Sequence, residues 1–98
     1  MKMLWLMYFA TSTGEACEMA DKAIRELKTE EPKYAAAPFM RINIDLEGNQ
    51  SQKYEVKNVP CIYAGKEKMF EYEEGMSYEE VKDSIAKAMD RFLNDAIL

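Results

Sequence analysis

Histidine is absent from the 98 residues of the chain. Its absence removes imidazole general bases, Ser-His and Cys-His nucleophile pairs, and every His-ligated zinc site. Cysteine occurs only 2 times, too few for a four-thiolate metal site or a disulfide-stapled scaffold. No metal and no cofactor are expected. Glycine occurs 4 times and proline 3 times, which leaves no linker, so residues 1–98 read as one domain. The only long apolar run, residues 3–9, is too short to span a membrane and precedes no small-residue cleavage site. Basic side chains are outnumbered, 13 against 18 acidic, for a formal charge of -5. Such a surface repels phosphate backbones and anionic lipid. Neither nucleic acid nor membrane is expected as a partner, and a cytoplasmic monomer is the expectation.

Residues of the hydrophobic class make up 48% of the chain, enough for one compact core. Met3-Leu4-Trp5-Leu6-Met7-Tyr8-Phe9 is apolar throughout, the pattern of a strand covered on both faces, with Trp5 inside. Ser12 and Glu15 read as a capping box that opens a helix over residues 15–29. Ala16, Ala20, Ala23, Ile24 and Leu27 lie at helical spacing along it. Glu31-Pro32 ends that helix. Met40, Ile42 and Ile44 alternate with Arg41 and Asn43, which predicts a second strand over residues 39–44, parallel to the first through a right-handed crossover. A short helix is expected near residues 50–54. A third strand at residues 59–63 and a fourth at residues 69–72 form a hairpin around Gly65. Ser77 and Glu80 form a second capping box. Val81, Ile85, Met89 and Phe92 share one face of the helix that follows. The stretch from Tyr34 to Pro38 carries no assignment.

Two segments carry a resemblance. Asn43-Ile44-Asp45 and Lys53-Tyr54-Glu55-Val56-Lys57-Asn58-Val59-Pro60, at their observed separation, resemble the thioredoxin family. Val59-Pro60-Cys61-Ile62-Tyr63-Ala64-Gly65-Lys66 is also similar to its glutaredoxin branch. The resemblance covers nearly the whole chain, without the family's additional N-terminal strand and helix. It implies an α/β minimal thioredoxin fold, β-α-β-(α)-β-β-α, with a four-stranded mixed sheet and helices on both faces. It also implies a cis peptide bond before Pro60.

The family's chemistry resides in a Cys-x-x-Cys pair at the start of the first helix, where the helix N-terminus stabilises the first thiolate. Counted from Phe9 without gaps, the matching residues here are Gly14-Glu15-Ala16-Cys17. The first thiol is replaced by Gly14, the aromatic before it by Thr13, and the family's buried acid by Tyr8. A one-residue shift would place Thr13 at the nucleophile and restore no thiol. Glu15 and Glu18 flank Cys17 with negative charge, which disfavours a thiolate. Cys61 stands directly after Pro60, where the family often has threonine, and the fold analogy brings it toward Cys17.

Two functions follow as expectations. One is thiol–disulfide exchange with a protein or peptide, through Cys17 alone or paired with Cys61. The other is a redox-inactive binding module, in which Thr13, Gly14, Glu15, Val59 and Pro60 hold a protein segment. For each cysteine the plain alternative is a small buried core residue.

Overall fold

A computed structural model describes residues 5–11, 14–45 and 58–97 of the chain. Strand β1 (Leu6–Ala10) leads into helix α1 (Glu15–Glu30), a 3-10 turn (Pro32–Ala36) and strand β2 (Phe39–Asn43). Strands β3 (Cys61–Ala64) and β4 (Glu67–Glu71) precede helix α2 (Tyr78–Ile97). The strands form one sheet in the order β2-β1-β3-β4. β1 is parallel to β2 and antiparallel to β3, and β3 is antiparallel to β4. This is the mixed four-stranded sheet expected from the sequence.

Helix α1 buries Cys17, Ala20, Ala23 and Leu27. The buried stripe begins at Cys17 rather than at Ala16, because the face through Cys17, Ala20, Ala23 and Leu27 is the one that packs into the core with Leu6, Tyr8 and Ala10. Gly14 has φ 129° and supplies no side-chain cap. The capping box expected from Ser12 is thus not the cap observed, and Ser12 and Thr13 themselves lie outside the described residues. The second box is present as written. Glu80 N–H donates to Ser77 Oγ at 3.1 Å, and Ser77 N–H donates to Glu80 Oε1 at 2.9 Å. Behind it, Val81, Ile85, Met89 and Phe92 are all buried. Proline cannot continue α1. Pro32 instead opens the 3-10 turn, which takes in Tyr34 to Ala36 of the stretch without an assignment.

Both described α-helices pack on one face of the sheet, around Leu6, Tyr8, Ala10, Ile62, Ala64 and Phe70. The opposite face carries a smaller cluster of Phe9, Ile42, Cys61 and Tyr63. The expectation of helices on both faces rests on residues 50–54, which fall outside the described residues. Gly65, at φ 64°, gives the two-residue β3–β4 turn the left-handed backbone it needs. Trp5 departs from its expected place in the core. It stands just before β1 and is 48% exposed. No described helix is long and apolar enough to cross a membrane.

Candidate functional site

Ala10 and Thr11, at the C-terminal end of β1, lie against the start of α1 at Gly14 to Cys17, and the Val59-Pro60 segment enters β3 beside them. The pairing of Phe9 with Cys61 fixes this neighbourhood, because Pro60 then follows on next to Ala10. The Val59–Pro60 peptide bond is cis. The Pro60 carbonyl accepts a hydrogen bond from Tyr72 N–H at 2.9 Å, which ties the segment to the end of β4.

Gly14 and Glu15 are exposed at the mouth of this junction, and Val59 is half-buried. Cys17 lies one turn deeper and is only 4% exposed. Its sulfur is held from one side by Thr11. Thr11 N–H donates to Cys17 Sγ at 3.4 Å, and Thr11 Oγ1 lies 3.3 Å from the same sulfur. Cys61 is 1% exposed. Burial pushes its thiol up to about 12, with the nearby Glu71 carboxylate adding to the shift.

The structure does not join the two thiols. Both are free. Cys17 belongs to the helix-covered core, whereas Cys61 packs with Phe9, Ile42 and Tyr63 on the opposite face. Strand alternation is the cause. Ile62 turns toward the helices, so its neighbour Cys61 must turn away.

A polar network that the sequence did not reveal surrounds Cys17. The Tyr8 hydroxyl donates to Asp21 Oδ1 at 2.8 Å and lies 3.4 Å from the Cys17 carbonyl oxygen. Arg41 Nε and Nη2 donate to the two Asp21 carboxylate oxygens, each at 3.3 Å. Nη2 also donates to the Thr11 carbonyl at 3.2 Å. The Arg41 guanidinium lies 5.5 Å from the Tyr8 ring centroid, within cation–π range. Burial and the Asp21 hydrogen bond hold the Tyr8 hydroxyl well above its ordinary range, so it remains a donor. Asp21 holds Arg41 firmly in its charged form.

These contacts have a simple origin. Tyr8 and Arg41 are lateral neighbours in the β1–β2 register, and Asp21 is one helical turn after Cys17. The one signal in the sequence was Asp21 four places beyond Cys17 on α1. Its partner Arg41 is 20 places further on, so the pair required the fold. A pocket of about 330 Å³ opens between α1 and β2, lined by Tyr8, Asp21, Ile24, Arg25, Phe39 and Arg41.

The fold superposes on solved structures. A solved structure of a malarial protein superposes with a TM-score of 0.57 and 20% identity, over 85% of this chain and 93% of that one. Human ERp44, a thioredoxin-family protein, superposes in its zinc-bound form with a TM-score of 0.57 and 19% identity. The match takes in 88% of this chain and 27% of ERp44, so the chain spans about a quarter of that protein. The fold is thioredoxin-like. No protein-family model matches the chain, and no curated protein matches it.

A chemical consequence of the thioredoxin-like placement can be measured. An alkylating reagent attacks the thiolate and needs contact with sulfur. In the native protein both sulfurs are covered, so reaction must wait for local opening. Alkylation at pH 8 is expected to run at least roughly a hundredfold slower in buffer than in denaturing urea, for both cysteines. A peptide map after timed quenching checks this. Fast native labelling of Cys17 would show that the α1 end opens readily.

Proposed function

We propose that this thioredoxin-like domain holds an extended protein segment at the junction of the Gly14 turn and the Val59-Pro60 segment, without dithiol exchange. The observation that carries the reading is at the helix start. Gly14, where the resemblance to the thioredoxin family would put the attacking thiol, is exposed, and Cys17 is buried behind it. Glycine offers no nucleophile. It does let a peptide backbone come close to the turn. The Val59 backbone beside it would pair with such a segment in the manner of an added strand.

A second reading is exchange through Cys17, alone or with Cys61. The Thr11 contacts favour it, since they fix the Cys17 sulfur at the end of β1. The two readings separate in one experiment. A ¹H–¹⁵N titration with a pool of short extended peptides is expected to shift the amides of Gly14, Glu15 and Val59, and to leave Asp83 and Lys87 on α2 unmoved. Cys17→Ser is expected to preserve those shifts. The binding reading fails if the protein forms mixed disulfides with glutathione or a dithiol substrate and Cys17→Ser abolishes them.

A further inference from the structure

β2 is one edge of the sheet. Its ladder to β1 begins with Leu6 N–H donating to the Pro38 carbonyl and ends with Ile44 N–H donating to the Ala10 carbonyl. With Leu6 opposite Phe39 and Phe9 opposite Ile42, the phase of a parallel ladder follows. Met40 and Ile42 turn their peptide groups toward β1. Phe39 and Arg41 turn theirs outward, where the sheet has no further strand among the described residues.

The two edges of the sheet are unlike. β4 carries Glu67, Lys68 and Glu71, and its pairing with β3 slips between Ile62 and Tyr63. Charges and irregular pairing are the devices by which an edge strand resists further pairing. β2 is regular in its register, and Arg41 is its one charged residue. Met40, its second residue, is 41% exposed. Together with Trp5 it makes up the exposed large apolar side chains among the described residues.

We propose that β2 pairs antiparallel with β2 of a second copy of this chain, about a two-fold axis at Met40. In this register Met40 faces the partner's Met40, and Phe39 faces the partner's Arg41. Each Phe39–Arg41 pair then exchanges both outward peptide hydrogen bonds, so the register uses the groups that the monomer leaves facing outward. A shift of two places would set Arg41 against the partner's Arg41, and like charges directly opposite each other are destabilising. A shift of two places the other way would set Arg41 against the partner's Ala37, whose N–H already donates to the Tyr34 carbonyl, so the Met40 register keeps the most outward bonds. A single strand pair buries less than the about 1,200–2,000 Å² of stable complexes. The dimer accordingly forms at high concentration, and the dilute protein is the monomer expected from the sequence.

The test is sedimentation of the full chain from micromolar to millimolar concentration, combined with amide hydrogen exchange. The mass is expected to rise from 11.4 kDa toward twice that value. The Phe39 and Arg41 amides are expected to gain protection in step with it, while the Tyr8 amide is protected throughout. Met40→Lys, which sets two ammonium groups face to face, is expected to weaken association by at least about tenfold with an unchanged circular dichroism spectrum. Should that variant unfold, the exchange pattern of the unaltered chain decides alone. A mass that stays at 11.4 kDa to millimolar concentration overturns the proposal. So does a dimer in which the Phe39 and Arg41 amides exchange as fast as in the monomer. Protection of those amides already in the dilute monomer would mean that the chain covers its own edge, and it too overturns the proposal.

Discussion

Phe9→Ala is expected to destabilise the protein by about 3–5 kcal/mol, the usual cost of removing a fully buried aromatic side chain. Phe9 is 0% exposed. It sits on the central strand between Ile42 and Cys61, its neighbours in the β1–β2 and β1–β3 registers. The Tyr63 ring meets it edge-on, with centroids 5.9 Å apart and planes at 90°. Truncation removes the hub of the cluster on the face away from the described helices, and rigid strands on either side limit how far the space can close. Domains of this size have a total stability of about 5–15 kcal/mol, so the variant should be poorly folded or melt on the order of 15–30 °C lower. Trp5→Ala removes a larger side chain and is expected to cost under about 1 kcal/mol, because Trp5 is half-exposed. Urea unfolding of both variants at low protein concentration checks the contrast. A Phe9→Ala loss below about 1 kcal/mol would mean that the second cluster is not tightly packed.

Stability is also expected to fall steeply in alkali, because two buried acids resist ionisation. The Cys61 thiol is pushed from an ordinary 9.0 up to about 12. The Tyr8 hydroxyl is displaced upward from 10.0, chiefly by burial and secondly by its bond to Asp21. For both groups the folded value lies above the unfolded one. In the unfolded chain Cys61 ionises above about pH 9 and Tyr8 above about pH 10. In the folded chain both keep their protons, so the folded state binds more protons and loses ground as the pH rises. Below pH 9 this contribution is constant. From there to about pH 12, each group steepens the loss by about 1.4 kcal/mol per pH unit once its unfolded form is ionised. Urea midpoints measured from pH 7 to pH 11 should hold level and then drop. Cys61→Ala should start the drop about one unit later, and Tyr8→Phe should flatten its upper part. A midpoint independent of pH up to 11 in the unaltered protein would show that neither group is sealed from solvent.

Both effects depend on which face of the sheet a side chain occupies, and that is where sequence and tertiary structure divide. The sequence by itself determined the elements. Helical spacing marked the Val81–Ile85–Met89–Phe92 face, the Ser77–Glu80 box marked the start of α2, and alternation marked β2. These signals are local, set by backbone geometry and the 3.6- and 2-residue periods. It also determined that the start of α1 carries a single thiol, Cys17, with Gly14 three places before it. The strand that follows Trp5 was legible, but the exposure of Trp5 was not. An unbroken apolar run says nothing about where lateral cover begins, and Trp5 lies beyond the first pair of the β1–β2 register.

Only the tertiary structure decided the fate of the cysteines. Cys17 and Cys61 stand on different elements, and each side chain's direction depends on strand phase. A shift of one residue would have turned Cys61 toward the helices. The same holds for the Tyr8–Asp21–Arg41 network, whose members come from β1, α1 and β2. None has a recognisable spacing to the others in the chain. Their hydrogen bonds exist because the parallel register sets Tyr8 beside Arg41 while α1 lies over both. Local spacing encodes what a residue's near neighbours do. Contacts between distant segments are fixed by the register and packing that only the assembled sheet supplies.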